Sequence, residues 1–217
     1  MNRRVINIGG ENIEVPMPDK RLILYAVIGI VVLWIVFSSI YTIDADEVGV
    51  IQRFGKYTTT TQPGLHFKLP WGIESVKKVK IQRVFKEEFG FRTARAGIRT
   101  EYAGGDYSNE SLMLTGDLNA ALVEWVVQYR INDPAAYLFN VRNVQATIRY
   151  VSESAMRQVV GDHSVDEVII LSRKEIAERA TELMQELLND YQTCIDLVTV
   201  NLQDVNPPRP VQPAFNE

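Results

Sequence analysis

The sequence predicts an α+β domain anchored to a membrane by a single N-terminal transmembrane helix. Three observations predict this fold class. Residues 22–40 contain no charged side chain, segments before residue 132 alternate apolar and polar residues like β-strands, and two later segments repeat apolar residues at helical spacing. The chain after the uncharged stretch is long enough to bury the core of one large or two small domains.

The uncharged stretch is long enough to span a bilayer as a helix. At about 1.5 Å of rise per residue, it covers the roughly 30 Å hydrocarbon core. Charged residues stand on both sides of it, so its edges are sharp. We assign residues 22–41 to a transmembrane helix, whose expected membrane-anchoring side chains are Leu22, Tyr25, Trp34, Phe37 and Ile40.

Two other interpretations of this stretch are a buried core helix and a cleaved signal peptide. A core helix usually has a polar face, and this segment has none beyond Ser38 and Ser39. The apolar run is long for a signal peptide, and no small-x-small cleavage site closes it. The sequence therefore favours an uncleaved signal anchor. The polar tail before it, residues 1–21, is expected to be flexible.

The charges around the span indicate its orientation. Arg3, Arg4, Lys20 and Arg21 precede it, whereas the segment directly after it is acidic. The positive-inside rule therefore favours a cytoplasmic N-terminus and an exported domain. In a bacterium, this predicts a single-pass protein of the inner (cell) membrane with its domain in the periplasm.

The expected domain covers residues 42–206, and its early part, residues 42–117, is rich in strands. A first strand is expected over residues 42–57, with a break at Gly55, and another over residues 74–84. Residues 94–110 contain several glycines and scattered charges, so we expect an exposed excursion between strands there.

A short apolar segment follows the Pro63-Gly64 turn. Its large side chains alternate with other residues and are placed on one face of an extended segment: Leu65, Phe67, Leu69 and Trp71. Pro70 favours an edge or a loop over a central strand. Two interpretations stay open for these side chains. One is ordinary packing beneath the domain core, and the other is a hairpin that dips into the outer leaflet beside the span.

The later part of the domain, residues 118–206, begins with the clearest strand. Residues 118–132 place one set of side chains on a common face: Ala121, Val123, Trp125, Val127, Tyr129 and Ile131. Asp133 is expected to cap a short helix that starts with Pro134. A longer helix is expected over residues 144–160, with Asn143 as its N-cap and Gly161 at the C′ position.

A second long helix is expected over residues 173–191. Ser172 and Glu175 match a capping box, and the apolar stripe is Ile176, Ala180, Leu183, Leu187 and Tyr191. A closing strand is expected over residues 195–202, with inward side chains Val198, Val200 and Leu202. Residues 207–217 contain four prolines and are expected to end regular structure.

The sequence offers little support for nucleic-acid binding or catalysis. The net charge is −4 and no polybasic tract is present, so nucleic acid is not an expected partner. GxSxG and HExxH motifs are absent, and the two histidines, His66 and His163, lie outside metal-ligand spacing. Cys194 is expected to be buried and inert. No catalytic residue, cofactor or metal site is expected.

Several separated segments resemble one family. Residues 45–56 (ADEVGVIQRFGK) and 63–70 (PGLHFKLP) resemble the opening of the SPFH domain, named after stomatin, prohibitin, flotillin and HflK/C. Further segments are similar to the HflK branch of this superfamily: FGFRT at 89–93, LMLTGD at 112–117, VQYRINDP at 127–134, YLFN at 137–140, SAMRQVVG at 154–161 and PPRPVQPAF at 207–215. The segments occur in the family's order.

This resemblance implies a non-enzymatic membrane scaffold. HflK-like proteins pair with an HflC-like paralogue in large rings or cages that enclose or regulate the FtsH-like AAA+ membrane protease. The resemblance also associates the early hairpin with the lipid bilayer. It further implies that residues 207–217 are a Pro-rich junction to a coiled coil in a longer gene product.

Two alternative functions stay open. A stomatin-like organiser of lipid microdomains would have the same fold without an FtsH partner. A membrane-tethered hydrolase would need a nucleophile and base, which the sequence does not reveal.

Self-association in a ring requires a lateral contact between domains. The candidate surface is a group of charged residues on and beside the polar face of the first long helix: Arg142, Arg149, Glu153 and Arg157. The alternative interpretation of these residues is a plain solvated face.

Overall fold

The computed structural model describes residues 3–8, 11–16, 20–95, 101–102, 104–208 and 211. Its elements are, in chain order, β1 (Arg3–Ile8), β2 (Glu11–Pro16), α1 (Lys20–Ser39), β3 (Ile40–Ile43), β4 (Glu47–Arg53), β5 (Lys56–Thr61), β6 (Gly64–Phe67), β7 (Glu74–Lys80), β8 (Phe85–Phe89), β9 (Thr93–Arg95), β10 (Glu101–Tyr102), α2 (Ser108–Ser111), β11 (Leu112–Leu114), β12 (Ala120–Ile131), α3 (Pro134–Phe139), α4 (Val144–Gly161), α5 (Arg173–Asp190) and β13 (Ile195–Asn206). A π-helical turn, Glu167–Leu171, lies between α4 and α5.

The N-terminal region contains more regular structure than the sequence predicts. Strands β1 and β2 pair as an antiparallel hairpin, where we expected a flexible tail. Helix α1 then runs to Ser39, and Ile40 already belongs to β3, so the helix ends earlier than the expected residue 41. Residues Arg21–Ser39 have the length and composition of a membrane span, and none of that window is buried against the domain.

Two small antiparallel sheets follow α1. Strand β3 pairs with β6, and β4 is the central strand of a sheet with the order β5-β4-β7. The single first strand expected over residues 42–57 is wrong, because the chain turns after β3 and again at Phe54-Gly55. Strand β4 packs closely on its neighbours at Gly49, where a Cβ would lie 2.5 Å from Ile43 Cδ1.

The largest sheet is built on the long strand β12. Strand β13 pairs along one edge of β12, and β8 and β11 share the other edge. The predicted inward face of β12 is confirmed, since all six of its side chains are buried. Strand β8 was not predicted. Its Phe89 pairs with Trp125 across the strands, and the two rings stack with centroids 4.5 Å apart.

The helix starts were predicted with mixed success. The Asp133 carboxylate accepts hydrogen bonds from the N–H groups of Ala135 and Ala136, and Asn143 caps α4, as expected. The Ser172–Glu175 capping box is wrong, because Ser172 makes no side-chain cap and directly follows the π-helical turn. The same S-x-x-E pattern occurs earlier, where the Ser164 N–H and hydroxyl both donate to the Glu167 carboxylate.

Gly161 is the last residue of α4, with Asp162 as the C-cap in a right-handed conformation, so the predicted C′ glycine is also wrong. The predicted stripe of α4 is buried throughout: Val144, Ile148, Val151, Ala155 and Val159.

The helix α5 and the strand β13 bury partly different side chains from those predicted. In α5, Met184 and Leu188 are buried, whereas Leu183 and Leu187 lie at the margin of the core and Tyr191 is exposed. In β13, Val198 is 46% exposed because a β-bulge interrupts the pairing between Leu197 and Thr199. A one-residue insertion reverses which side chains face the core, so simple alternation misplaced Val198.

The early and late parts of the domain share one core. Val50 and Val79, from the sheet β5-β4-β7, belong to the same buried cluster as the β12 face and the apolar stripes of α4 and α5. The described part of residues 42–206 therefore folds around one continuous hydrophobic centre rather than two separate ones.

Candidate functional site: the membrane-proximal surface

The domain joins the apolar helix without a linker, through the two-stranded antiparallel sheet of β3 and β6. This pair is called the β3–β6 hairpin below, although β4 and β5 lie between its strands in the sequence. Strand β3 starts at the residue after α1 and pairs antiparallel with β6, so that Ile40 lies opposite Phe67. The N–H of Lys68 donates to the carbonyl oxygen of Ser39, the last residue of α1, at 2.8 Å. The hairpin is therefore held against the end of the helix.

The four apolar residues of the early segment all face solvent. Their exposed fractions are 61% for Leu65, 70% for Phe67, 44% for Leu69 and 70% for Trp71. Packing beneath the domain core is therefore the wrong interpretation of these side chains. The expected single extended segment is also corrected, because β6 ends at Phe67 and Trp71 lies in the following turn. Their insertion into a leaflet stays a prediction.

A carboxylate organises the turn that carries Leu69 and Trp71. Glu74 is nearly buried, and its Oε2 accepts the Leu69 N–H at 2.9 Å. Its Oε1 accepts two bonds from the Arg53 guanidinium, at 3.1 and 2.8 Å. The Leu69 N–H and then Arg53 hold the pKa of Glu74 below its usual value. One charged group thus fixes the turn to the end of strand β4.

The predicted anchor residues are exposed on α1 or at its end. Leu22, Tyr25, Trp34 and Phe37 are all more than half exposed, and Ile40, in β3, is 38% exposed. A helix that is apolar on every side and not covered by the domain is typical of a segment whose surroundings are lipid.

The predicted lateral-contact residues have different environments. Arg149 is largely buried and ion-paired within the chain, and Arg157 donates to the backbone carbonyls of Asn109 and Leu112, each at 2.9 Å. Arg142 is exposed and Glu153 is half-buried, and neither side chain has a hydrogen bond or ion pair within the described residues. Contact between subunits at this surface stays a prediction.

Arg149 links three elements that are far apart in the sequence. Its guanidinium contacts Glu87 in β8 at 3.1 Å and Glu110 in α2 at 2.8 Å. It also lies 4.6 Å from the centroid of the Phe89 ring. Glu110 accepts a further bond from Arg92 at 2.7 Å. Sequence reasoning missed Glu87, Arg92 and Glu110, because ion pairing over this sequence distance leaves no periodic signal.

The charges in this network are matched. Burial raises the pKa of the Glu110 carboxyl, but the hydrogen bonds from Arg92 and Gly90 and the positive charges of Arg149 and Arg92 outweigh it. The net pKa of Glu110 is lowered, and the group is ionised at neutral pH. Arg149 therefore holds α4 onto β8 and α2 and has a structural role.

The side chains most relevant to catalysis have ordinary partners. His66 Nε2 and His163 Nδ1 each lie within 2.8 Å of a backbone carbonyl oxygen, to which the ring N–H donates. Burial, followed by Asp133 and Asp196, raises the pKa of the Cys194 thiol. The carboxylates of Asp44, Asp46 and Glu47 lie within 4.8 Å of one another, and the Lys80 ammonium is 3.6 Å from Asp46 and 3.8 Å from Glu47.

The fold and this surface define a class of protein: an α+β domain joined directly to an apolar helix of spanning length. A sequence model of the SPFH domain / Band 7 family matches residues 41–217. The chain belongs to this family. The match covers most of the chain. It includes strand β6, the turn held by the Glu74 carboxylate and the sheet built on β12.

Relatives of the chain include HflK proteins. Protein HflK of Treponema pallidum (strain Nichols) is 44% identical over 88% of this chain and 58% of the relative. Protein HflK of Borreliella burgdorferi is 34% identical over 81% of this chain and 55% of the relative. The protein named Modulator of FtsH protease HflK from Escherichia coli (strain K12) is 32% identical over 93% of this chain and 43% of the relative. These matches confirm the resemblance to the HflK branch, and the chain spans about half the length of these relatives.

Replacing Arg149 with Ala is expected to lower the free energy of unfolding by about 2 kcal/mol. The change leaves Glu87 and Glu110 partly buried with fewer positive partners, and the partial exposure of Arg149 moderates the penalty. Urea unfolding of the detergent-solubilised chain measures the effect. Arg142→Ala is the matched control and should stay within about 0.5 kcal/mol of the parent. Equal effects of the two substitutions would remove the structural role of Arg149.

The Glu74 turn is expected to lose stability in acid. Because the folded pKa of Glu74 is lowered, its ionised form stabilises the fold above the usual glutamate pKa of about 4.3, and this contribution is lost as the pH falls through the folded value. Glu74→Gln should therefore be less stable than the parent at pH 7, and the difference should shrink towards pH 3. A difference that stays constant across this range contradicts the assignment.

Proposed function

We propose that this chain is the membrane-anchored part of a non-enzymatic, HflK-like scaffold that regulates an FtsH-like AAA+ protease. The observation that carries the proposal is the surface at the end of α1. There β6 and the turn after it expose four apolar side chains, and the segment that leaves β6 is hydrogen-bonded to the last residue of the apolar helix. Membership of the SPFH family, together with the Escherichia coli relative named Modulator of FtsH protease HflK, supports an FtsH-like protease as the partner.

The exposed hairpin favours a role at the lipid surface. A contiguous group of large exposed apolar side chains on a monomer marks a contact with a protein or a membrane. Since Phe67 lies opposite Ile40 at the end of the span, the hairpin lies at the depth where α1 leaves the bilayer. In this proposal Leu65, Phe67, Leu69 and Trp71 enter the outer leaflet, with Trp71 at the interface.

A scaffold role also agrees with the chemistry of the described residues. The histidine rings donate to backbone carbonyls, and the thiol of Cys194 has a raised pKa, which disfavours the nucleophilic thiolate. A hydrolase would need a nucleophile held against a base. No such pair occurs within the part of the chain that the structure describes.

The proposed assembly is a ring or cage of this chain with an HflC-like paralogue around the protease. The N-terminus is cytoplasmic and the SPFH domain is periplasmic, at the inner (cell) membrane of a bacterium. The charge distribution around the span supports this orientation. A heterologous lateral contact between copies closes a ring when its rotation closes.

The second candidate is a stomatin-like organiser of lipid microdomains that assembles without a protease. The same apolar hairpin favours it, because the surface faces lipid in either case. The composition of the purified particle distinguishes the two candidates.

The proposal is tested by purifying the full-length gene product from its own membranes in mild detergent. We expect a megadalton-scale particle that contains an HflC-like paralogue and an FtsH-like protease, as identified by mass spectrometry and sizing. A large particle of this chain alone would favour the lipid-domain organiser. A monomer would overturn both scaffold proposals.

The lateral contact is tested at the two residues without described partners. Reversing one charge, Arg142→Glu, makes positions 142 and 153 both negative and is expected to reduce particle size if this surface joins neighbouring domains. Reversal of Arg149 is unsuitable, because it would break the internal ion pairs with Glu87 and Glu110. A matched control is the reversal of one exposed charge on another helix, Lys174→Glu. Unchanged particle size in the first variant excludes the surface.

A further inference from the structure

Two turns at the end of α1 have the same unusual backbone conformation. Phe54 and Gly55 have φ angles of +50° and +81°, and Trp71 and Gly72 have φ angles of +61° and +74°. A bulky L-residue in the left-handed region is uncommon and costs roughly 1–2 kcal/mol. Two-residue hairpin turns of this type favour Asn-Gly, so an aromatic residue at the first position requires an explanation.

The two aromatic-glycine turns lie side by side. The N–H of Phe54 donates to the carbonyl oxygen of Ile73 at 2.9 Å, which joins the β4–β5 turn to the residue after Gly72. The Arg53–Glu74 ion pair, at 2.8 Å, connects the same two segments. The backbone of Phe54 therefore lies next to the turn that carries Trp71.

The side chain of Phe54 is exposed beside this turn. It is 79% exposed, more than Leu65, Phe67, Leu69 or Trp71. Arg53 and Lys56 flank the turn and are both exposed, while Lys68 lies beside the end of α1. Aromatic rings next to basic side chains are typical of a bilayer interface, where the rings sit at headgroup depth and the cations meet anionic lipid.

We propose that the Phe54-Gly55 turn is a second membrane-contacting element, which places Phe54 in the interface of the same leaflet that receives Trp71. This inference rests on the proposed leaflet position of the β3–β6 hairpin and extends it to a turn on a different sheet. With two aromatic contacts held by one ion pair, the domain has a fixed tilt against the bilayer instead of rotating about the end of α1.

The chain offers a matched control in Leu118. This residue is 80% exposed and also has a positive φ, of +64°. It precedes β12, whereas α3 follows the opposite end of β12 and places Phe139 against Tyr57, with ring centroids 6.1 Å apart. The length of β12, roughly 3.3 Å per residue, therefore separates Leu118 from the β4–β5 turn.

The test uses environment-sensitive NBD labels on single cysteines. In a Cys194→Ser background, Phe54→Cys, Trp71→Cys and Leu118→Cys are labelled and the full chain is reconstituted into phosphatidylethanolamine/phosphatidylglycerol vesicles. We expect labels at positions 54 and 71 to be quenched severalfold more by doxyl-labelled lipid than by aqueous iodide. The label at position 118 should show the opposite preference.

The outcomes separate this inference from the proposed function. If position 71 is lipid-exposed and position 54 behaves like position 118, the second element is overturned while the hairpin proposal stands. If both positions are aqueous, both proposals fail. Phe54→Asn adds a second test, because asparagine tolerates the left-handed backbone of this turn. The variant should keep its circular dichroism spectrum and should reduce the lipid quenching of the label at position 71. Unchanged quenching counts against the inference.

Discussion

The carboxylate of Glu74 connects the strands of the first sheet to the turn that follows the membrane-proximal hairpin. Through Leu69 it holds the segment that leaves β6, and through Arg53 it holds the end of β4. The hairpin is in turn bonded to the last residue of α1. Because these contacts are short and consecutive, the position of the domain relative to the helix is set by hydrogen bonds rather than by a linker. Leu69 and Trp71, which are exposed, lie in the turn that these contacts hold.

A second group of charged residues connects elements within the later part of the domain. Arg149 joins α4 to β8 and α2, and it lies on the Phe89 ring, which stacks on Trp125 at the centre of the largest sheet. Two residues of the FGFRT segment take part in this network: Phe89 lies against Arg149, and Arg92 pairs with Glu110. Val50 and Val79 belong to the same buried cluster as the apolar stripes of α4 and α5, so the sheet β5-β4-β7 and the helical part share one core.

Local patterns carried most of the correct sequence predictions. The inward face of β12 follows from alternation, and the caps at Asp133 and Asn143 follow from the chemistry of the first helical turn. Features that depend on distant partners could not be predicted in this way. A bulge in β13 leaves Val198 exposed. The capping box forms at Ser164, before the π-helical turn, and not at Ser172 after it. Arg149 has the spacing of a surface residue but pairs with two carboxylates from other elements. The exposure of Trp71 and Phe54 depends on positive backbone angles, for which aromatic residues give no sequence signal.

We propose that the hydrogen bonds to the end of α1 place the SPFH domain directly against the bilayer. A cryo-electron microscopy map of the full-length gene product in lipid nanodiscs, with the bilayer density resolved, tests this placement. We expect β3 and β6 to enter the outer-leaflet density, with the turn that carries Trp71 at headgroup depth. A map in which the domain stands clear of the headgroups, with extended chain between Ser39 and Ile43, would overturn the placement.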